Sequence, residues 1–249
     1  MGGPEAIAIA AAGFGAGTIN TVVGSGTLIT FPVLVAFGYP PVQANVSNTV
    51  GLVPGGLSGT HGYRAELADQ GGRARALGVG SAAGAILGAT LLLALPAAAF
   101  RAIVPFFIAC ALVLILVQPW LAARLAGRPR RSAHGGFATL AAVFAVAVYG
   151  GYFGAAQGIL LLAVLGLAIP DALQRTNALK NVLATITNIV AAVVFALVAD
   201  VAWGAAVLIA LGSLAGGLAG ARFARRIPTW ALRALIVAVG ATAIVHLTA

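Results

Sequence analysis

Acidic residues are scarce: the chain has five in 249, Glu5, Glu66, Asp69, Asp171 and Asp200. Each lies at a terminus, in a loop or at the edge of an apolar segment, so no carboxylate relay for protons runs through the interior and no carboxylate pair is placed for acid–base catalysis. Cysteine is nearly absent too. Cys110 stands alone in an apolar run, which excludes a disulfide framework and a thiolate metal site. No Ser/His/Asp set and no metal-ligand spacing falls at one depth, so neither an enzyme, a catalytic residue, a metal nor a cofactor is expected. There is no P-loop, and an ATP-driven pump would need a partner to supply one. His61 and His246 sit near segment ends, where a histidine is more often interfacial than a proton carrier. The first residues, MGGPEAIAIAAAGFGAG, lack a positive n-region, so a retained first membrane segment is expected rather than a cleaved leader.

What remains is apolar. Hydrophobic residues make up 61% of the chain, charged residues 8%, and the mean hydropathy is +1.06. A soluble domain carries about a quarter charged residues, so this is an all-α integral membrane protein. Candidate segments fall at 6–23, 27–37, 42–61, 76–95, 102–120, 137–154, 159–169, 177–199, 201–221 and 229–247. That gives about eight full spans, since crossing a ~30 Å hydrocarbon core takes about 20 residues. The pieces 27–37 and 159–169 are too short to cross and are expected to be re-entrant or broken helices. The formal charge of +9 sits mostly in short loops, so it reads as membrane orientation and not as a nucleic-acid surface.

The chain repeats itself. Each short piece follows a glycine-rich break, Gly24-Ser25-Gly26 in one half and Gly154 to Gly158 in the other, and each ends at a proline turn. After each turn comes a polar cluster, NVSNT and RTNALKN, and pairing Ser47-Asn48 with Thr176-Asn177 aligns the halves. The stripes Gly80, Gly84, Gly88 and Gly212, Gly216, Gly220 align them with a slightly larger offset, and they fit close packing of helices through small residues. The expected organisation is a first repeat at 1–121, a basic linker at 122–136 and a second repeat at 137–249. Basic residues cluster at 62–75, 121–136 and 222–228, and all three stretches should be cytoplasmic. An odd number of crossings per half satisfies this, which inverts the halves relative to each other and puts both termini outside. Inverted repeats with broken helices at matching places are the signature of a secondary transporter that binds its substrate near the midplane.

A helix N-terminus offers free N–H groups and partial positive charge, which favour an anion. Asn45, Ser47 and Asn48 in the first half, and Thr176, Asn177 and Asn181 in the second, stand near such starts. Ser25 and Gln157 occupy the breaks. The alternative is that these residues cap helices and bond neighbouring segments. Lys180 is either the point charge that holds an anion or a lysine snorkelling to the interface. Arg175, closer to the turn, is expected at the surface. An anion leaves a cell that is negative inside without a coupling ion, because the potential contributes about 2.3 kcal/mol per charge per 100 mV.

The run NTVVGSGTLITFPVLVAFGYPPVQANVSNTV and its counterpart GGYFGAAQGILLLAVLGL with RTNALKNVLATITNIVAAVVFAL resemble the TauE/SafE sulfite exporter family, also called the toluene sulfonate uptake permeases. The resemblance covers nearly the whole chain. It implies an inner-membrane carrier of sulfite, sulfonates or sulfoacetate without a cofactor, with a pocket at Ser25, Asn48, Gln157, Thr176, Asn177 and Lys180. The break VGSGT is shorter in glycine than in many such proteins. The expected partners are therefore a small anion and the lipid bilayer, with no nucleic acid; homo-oligomerisation is left open. An anion channel or a carrier of another organic anion is the alternative.

Overall fold

The computed structural model describes residues 2–125, 136–169, 171–223, 234, 236–242 and 244. Among them every regular element is helical: α1 (Gly3–Val22), α2 (Thr27–Ala36), α3 (Pro41–Gly62), α4 (Gly71–Ala94), α5 (Ala97–Leu125), α6 (Gly136–Tyr152), α7 (Gln157–Ala168), α8 (Leu173–Val198) and α9 (Trp203–Phe223). The chain is an all-α membrane protein. Helices α1, α4, α8 and α9, and α5 over Ala97–Val117, are long and apolar enough to cross a bilayer. α3 has the length at 22 residues, but its polar cluster lowers its hydropathy. Most of the linker at 122–136 and of the segment at 229–247 lies outside the described residues.

Helices α4, α5 and α8 begin four or five residues before the apolar segments do. Their first turns carry Arg73 and Arg75, Arg101, and Arg175, which an apolar pattern excludes but a helix accommodates. Pro41 opens α3, where its missing N–H costs nothing. Pro54 lies inside α3, which nonetheless continues to Gly62.

The short pieces are half-length helices that double back. α2 has ten residues and α7 twelve, roughly 15 and 18 Å of helix. α2 returns along α1, with Gly26 against Ala16 and Ile29 against Gly15. Its far end closes on the start of α1, where the Tyr39 hydroxyl donates to Glu5 Oε1 at 3.3 Å. α7 returns along α6 in the same way, with Gln157 against Gly150.

Polar contacts fix which ends of the helices lie together. At the first end of the bundle, Gln43 Nε2 donates to Asp200 Oδ2 at 2.7 Å, joining the start of α3 to the turn after α8. At the second end, Gln70 Nε2 donates to the Arg175 carbonyl at 3.0 Å and Arg175 to the Ala68 carbonyl at 3.1 Å, joining the turn after α3 to the start of α8. α3 and α8 are therefore antiparallel, although they hold matching places in the two halves. The α1–α2 hairpin enters from the first end. The α6–α7 hairpin enters from the second, because Asp171 beyond α7 pairs with Arg73 at the start of α4.

The glycine stripes make the tightest helix contacts. Along α9, a Cβ on Gly212, Gly216 or Gly220 would meet the carbonyls of Ala10, Phe14 and Thr18 of α1. Along α4, Gly80, Gly84 and Gly88 face Leu140, Phe144 and Val148 of α6 in the same order. Missing side chains let the backbones approach, which is how helices associate where no hydrophobic effect separates them from lipid. Outward faces carry large apolar groups such as Val79, Phe106 and Leu197.

The register of the repeat corrects the pairing of Ser47-Asn48 with Thr176-Asn177. α3 begins at Pro41 and α8 at Leu173, so Asn45 matches Asn177, Asn48 matches Lys180 and Thr49 matches Asn181, with the same offset as the glycine stripes. The breaks match with an offset smaller by two, Gly24 with Gly154, because α7 is two residues longer than α2.

Candidate functional site

The two breaks meet in the middle of the fold. Gly24 has φ +91° and Gly154 φ +78°, conformations that glycine adopts without strain and that reverse the chain after α1 and α6. The Gly158 amide donates to the Gly24 carbonyl at 3.0 Å, and a Cβ on Gly24 would lie 2.5 Å from the Gly158 Cα. Backbone touches backbone here.

A broken helix leaves carbonyls at its C-terminus without intrahelical partners, and in a membrane they must be satisfied by protein. α8 supplies the donors for α1. Lys180 Nζ donates to the Asn20 carbonyl at 3.0 Å and to the Thr21 carbonyl at 3.4 Å. Asn177 and Asn181 also donate to the Thr21 carbonyl, each at 3.3 Å. α3 does the same for α6: Asn45 Nδ2 donates to the Tyr152 carbonyl at 3.0 Å. Asn48 grips the opposite side of the first break, accepting a short hydrogen bond from the Thr30 hydroxyl and donating to Thr27 Oγ1 at 3.3 Å.

The expected residues thus divide. Ser25, Asn45, Asn48, Gln157, Asn177, Lys180 and Asn181 are all buried around the paired breaks, together with Gly24, Gly26 and Gly158, while Gly154 is half-buried. Ser47 is turned elsewhere, its hydroxyl accepting from the Ala202 amide at 2.9 Å at the start of α9. Thr176 donates to the Ala172 carbonyl of its own first turn at 3.2 Å. The asparagines lie one or two turns inside α3 and α8, so they do not stand at free N-termini. The helix starts at the breaks belong to α2 and α7.

Lys180 does not snorkel. It is 0% exposed, its stem runs past Gly158 and its ammonium points to the end of α1. Arg175 lies at the surface as expected, paired with Asp171 at 2.9 Å.

Four buried polar atoms at the breaks have no hydrogen-bond partner among the described residues: Ser25 Oγ, Gln157 Nε2, Asn45 Oδ1 and Asn177 Oδ1. Such atoms are costly unless something else meets them. Sequence reasoning missed Thr27, Thr30 and the Thr21 carbonyl. The threonines carried a signal, since they stand one turn apart at the start of α2 directly after the glycine break. The carbonyl carried none.

Asn45→Ala removes the donor on the Tyr152 carbonyl and should cost about 1–2 kcal/mol, the price of an unsatisfied buried acceptor. Thermal unfolding of the detergent-purified protein measures it. An unchanged midpoint would mean that the α6 end is satisfied otherwise.

Comparison with known proteins places the chain. The family model for the sulfite exporter TauE/SafE matches residues 9–247. A probable membrane transporter protein, ORF9, from Sinorhizobium sp is 30% identical over 244 residues, covering 96% of this chain and 90% of the relative. The probable membrane transporter protein YfcA of Escherichia coli K12 is 28% identical over 230 residues, covering 91% and 83%. A probable membrane transporter protein of Haemophilus influenzae is 26% identical over 214 residues, covering 84% and 81%. No solved structure matches. The match along almost the whole chain, on a helical membrane fold with two paired breaks, shows that the chain belongs to the TauE/SafE sulfite exporter family.

Proposed function

We propose that the chain is a secondary carrier that moves a small sulfur-containing anion, such as sulfite, a sulfonate or sulfoacetate, outward across the cell inner membrane by alternating access. The observation that carries the reading is Lys180: a fully buried ammonium beside two helix breaks, paired with backbone carbonyls and with no carboxylate. An ionisable group at that depth is a substrate or ion site by default. The carbonyls of Asn20 and Thr21 hold the ammonium in place beside the breaks. Unpartnered Ser25 and Gln157 add neutral donors to the same region.

The fold fits such motion. Two inverted repeats, 1–121 and 137–249, joined by the basic linker 122–136, can rock against each other about the paired breaks. The basic stretches lie on the cytoplasmic face and both termini on the outer face in this reading. Export runs down the electrical gradient and needs no proton relay, in keeping with the absence of a buried Asp or Glu among the described residues.

The test is counterflow in proteoliposomes with sulfite and small sulfonates. Saturable exchange is expected, weakened more than tenfold, or about 1.4 kcal/mol, by Lys180→Ala and by Asn48→Ala. Unitary conductance in place of counterflow would make the protein a channel. If both folded variants behave like the wild type, the anion site is not here.

A further inference from the structure

The electrostatics of the breaks speak to the charge of the ligand, a step that rests on the anion-carrier reading above. Lys180 is the only Lys, Arg, His, Asp or Glu side chain that is buried among the described residues. The ion pairs formed by the described residues join Asp171 to Arg73 and Arg175 beside the start of α8, and neither arginine is buried. Among the described residues the interior therefore holds one formal positive charge.

Helix ends add partial charges, about +0.5 at an N-terminus and −0.5 at a C-terminus. Each break brings one of each together, the end of α1 with the start of α2 and the end of α6 with the start of α7. Their contributions cancel, and the sum stays near one positive charge. Part of that charge is already screened. The ammonium sits against the carbonyl oxygens of Asn20 and Thr21 at 3.0 and 3.4 Å, and Asn177, which shares the Thr21 carbonyl with it, keeps an unpartnered Oδ1. These oxygens attract an ammonium and repel a second negative charge. The remaining groups, Ser25, Gln157 and Asn48, are neutral.

We infer that the site selects monoanions over dianions: Lys180 neutralises one negative charge in a buried site where a second would stay uncompensated. The chemical class is a sulfonate with no second acidic group, or the singly protonated form of a sulfur oxyanion such as sulfite, in preference to any dianion; among the anions named above this disfavours sulfoacetate, whose carboxylate carries a second charge. Size and donors alone would not draw this line, since methanesulfonate and sulfate are both tetrahedral at sulfur and nearly equal in volume. A second charge must shed its hydration without receiving a counterion, which is the costly step in a low-dielectric site.

The experiment is counterflow by the full chain in proteoliposomes at neutral pH, with four probes: methanesulfonate and ethanesulfonate as monoanions, sulfate as a dianion and dimethyl sulfone as an uncharged analogue. The wild type should exchange the sulfonates at least tenfold better than sulfate or the sulfone. Lys180→Arg should keep that order, while Lys180→Gln should lose the sulfonates and close the gap to the sulfone. Sulfate exchanging as well as methanesulfonate would overturn the charge selectivity and leave the anion carrier standing. Sulfonate preference unchanged in Lys180→Gln would overturn the assignment to Lys180. Exchange of the sulfone alone, or of none of the four, would overturn the anion reading and this inference with it.

Discussion

Gly158→Val should leave almost no folded protein, although the substitution adds only apolar atoms inside a short apolar helix. A Cβ at Gly158 would stand 2.9 Å from the Gly24 carbonyl oxygen and 3.0 Å from Lys180 Cδ, and against the Gly24 Cα. Gly24 cannot yield, because its φ of +91° and its hydrogen bond from the Gly158 amide define the first break. Moving Lys180 would uncap the end of α1. The cost should reach about 4 kcal/mol or more, the range reserved for overpacking combined with lost buried polar contacts. Gly166→Ala, in the same helix, is the control. Nothing lies within 4 Å of its Cβ, so it should be neutral or slightly stabilising. Size-exclusion profiles and thermal midpoints of both variants in detergent decide the matter. If Gly158→Val elutes and melts like Gly166→Ala, the breaks do not touch.

Much of this fold was legible in the sequence because a bilayer leaves few solutions. Apolar length marks the spans, and glycine beside a half-length segment marks a break, so α2 and α7 stood out before any coordinates did. The glycine stripes of α4 and α9 were equally plain. What lay behind the polar clusters was not. Asn45, Asn177 and Asn181 read as donors to an anion, but each donates to the carbonyl of a broken helix, α1 or α6, more than 100 residues away in the chain. A backbone acceptor has no letter in the sequence, so its demand for a partner is invisible there. The register suffered for a related reason. Ser-Asn and Thr-Asn look alike as letters, whereas the structure matches Asn48 with Lys180 through the starts of α3 and α8. Ser47 fell out of the site because the backbone of α9 claims it.

Asp171→Asn should loosen the second end of the bundle and expose Lys180. Asp171 receives Arg73 at 2.8 Å, Arg175 at 2.9 Å and the Ala172 amide at 3.0 Å, so one carboxylate ties α4, the turn after α7 and α8 together. The contacts at the first end, Gln43 to Asp200 and the Tyr39 hydroxyl to Glu5, join neutral donors to carboxylates. The second end is the more firmly latched. Neutralising Asp171 removes the charge that Arg73 and Arg175 share, at a cost of about 2–3 kcal/mol. Acid should do the same to the wild type. Burial raises the Asp171 pKa, but the hydrogen bonds from Arg73, the Ala172 amide and Arg175 outweigh it and hold the carboxyl below its ordinary value. The stabilisation is thus fully present above the ordinary carboxylate pKa of about 4 and is lost as pH falls through the lower folded value. Thermal midpoints should drop over that acid window in the wild type and change less in Asp171→Asn. Because Lys180 is the only lysine in the chain, an amine-reactive reagent reads the opening once peptide mapping separates its label from that on the N-terminal amine. Labelling should be slow in the wild type, where Lys180 is fully buried, and severalfold faster in Asp171→Asn. Equal labelling with an unshifted midpoint would show that the triad decorates this end without holding it shut.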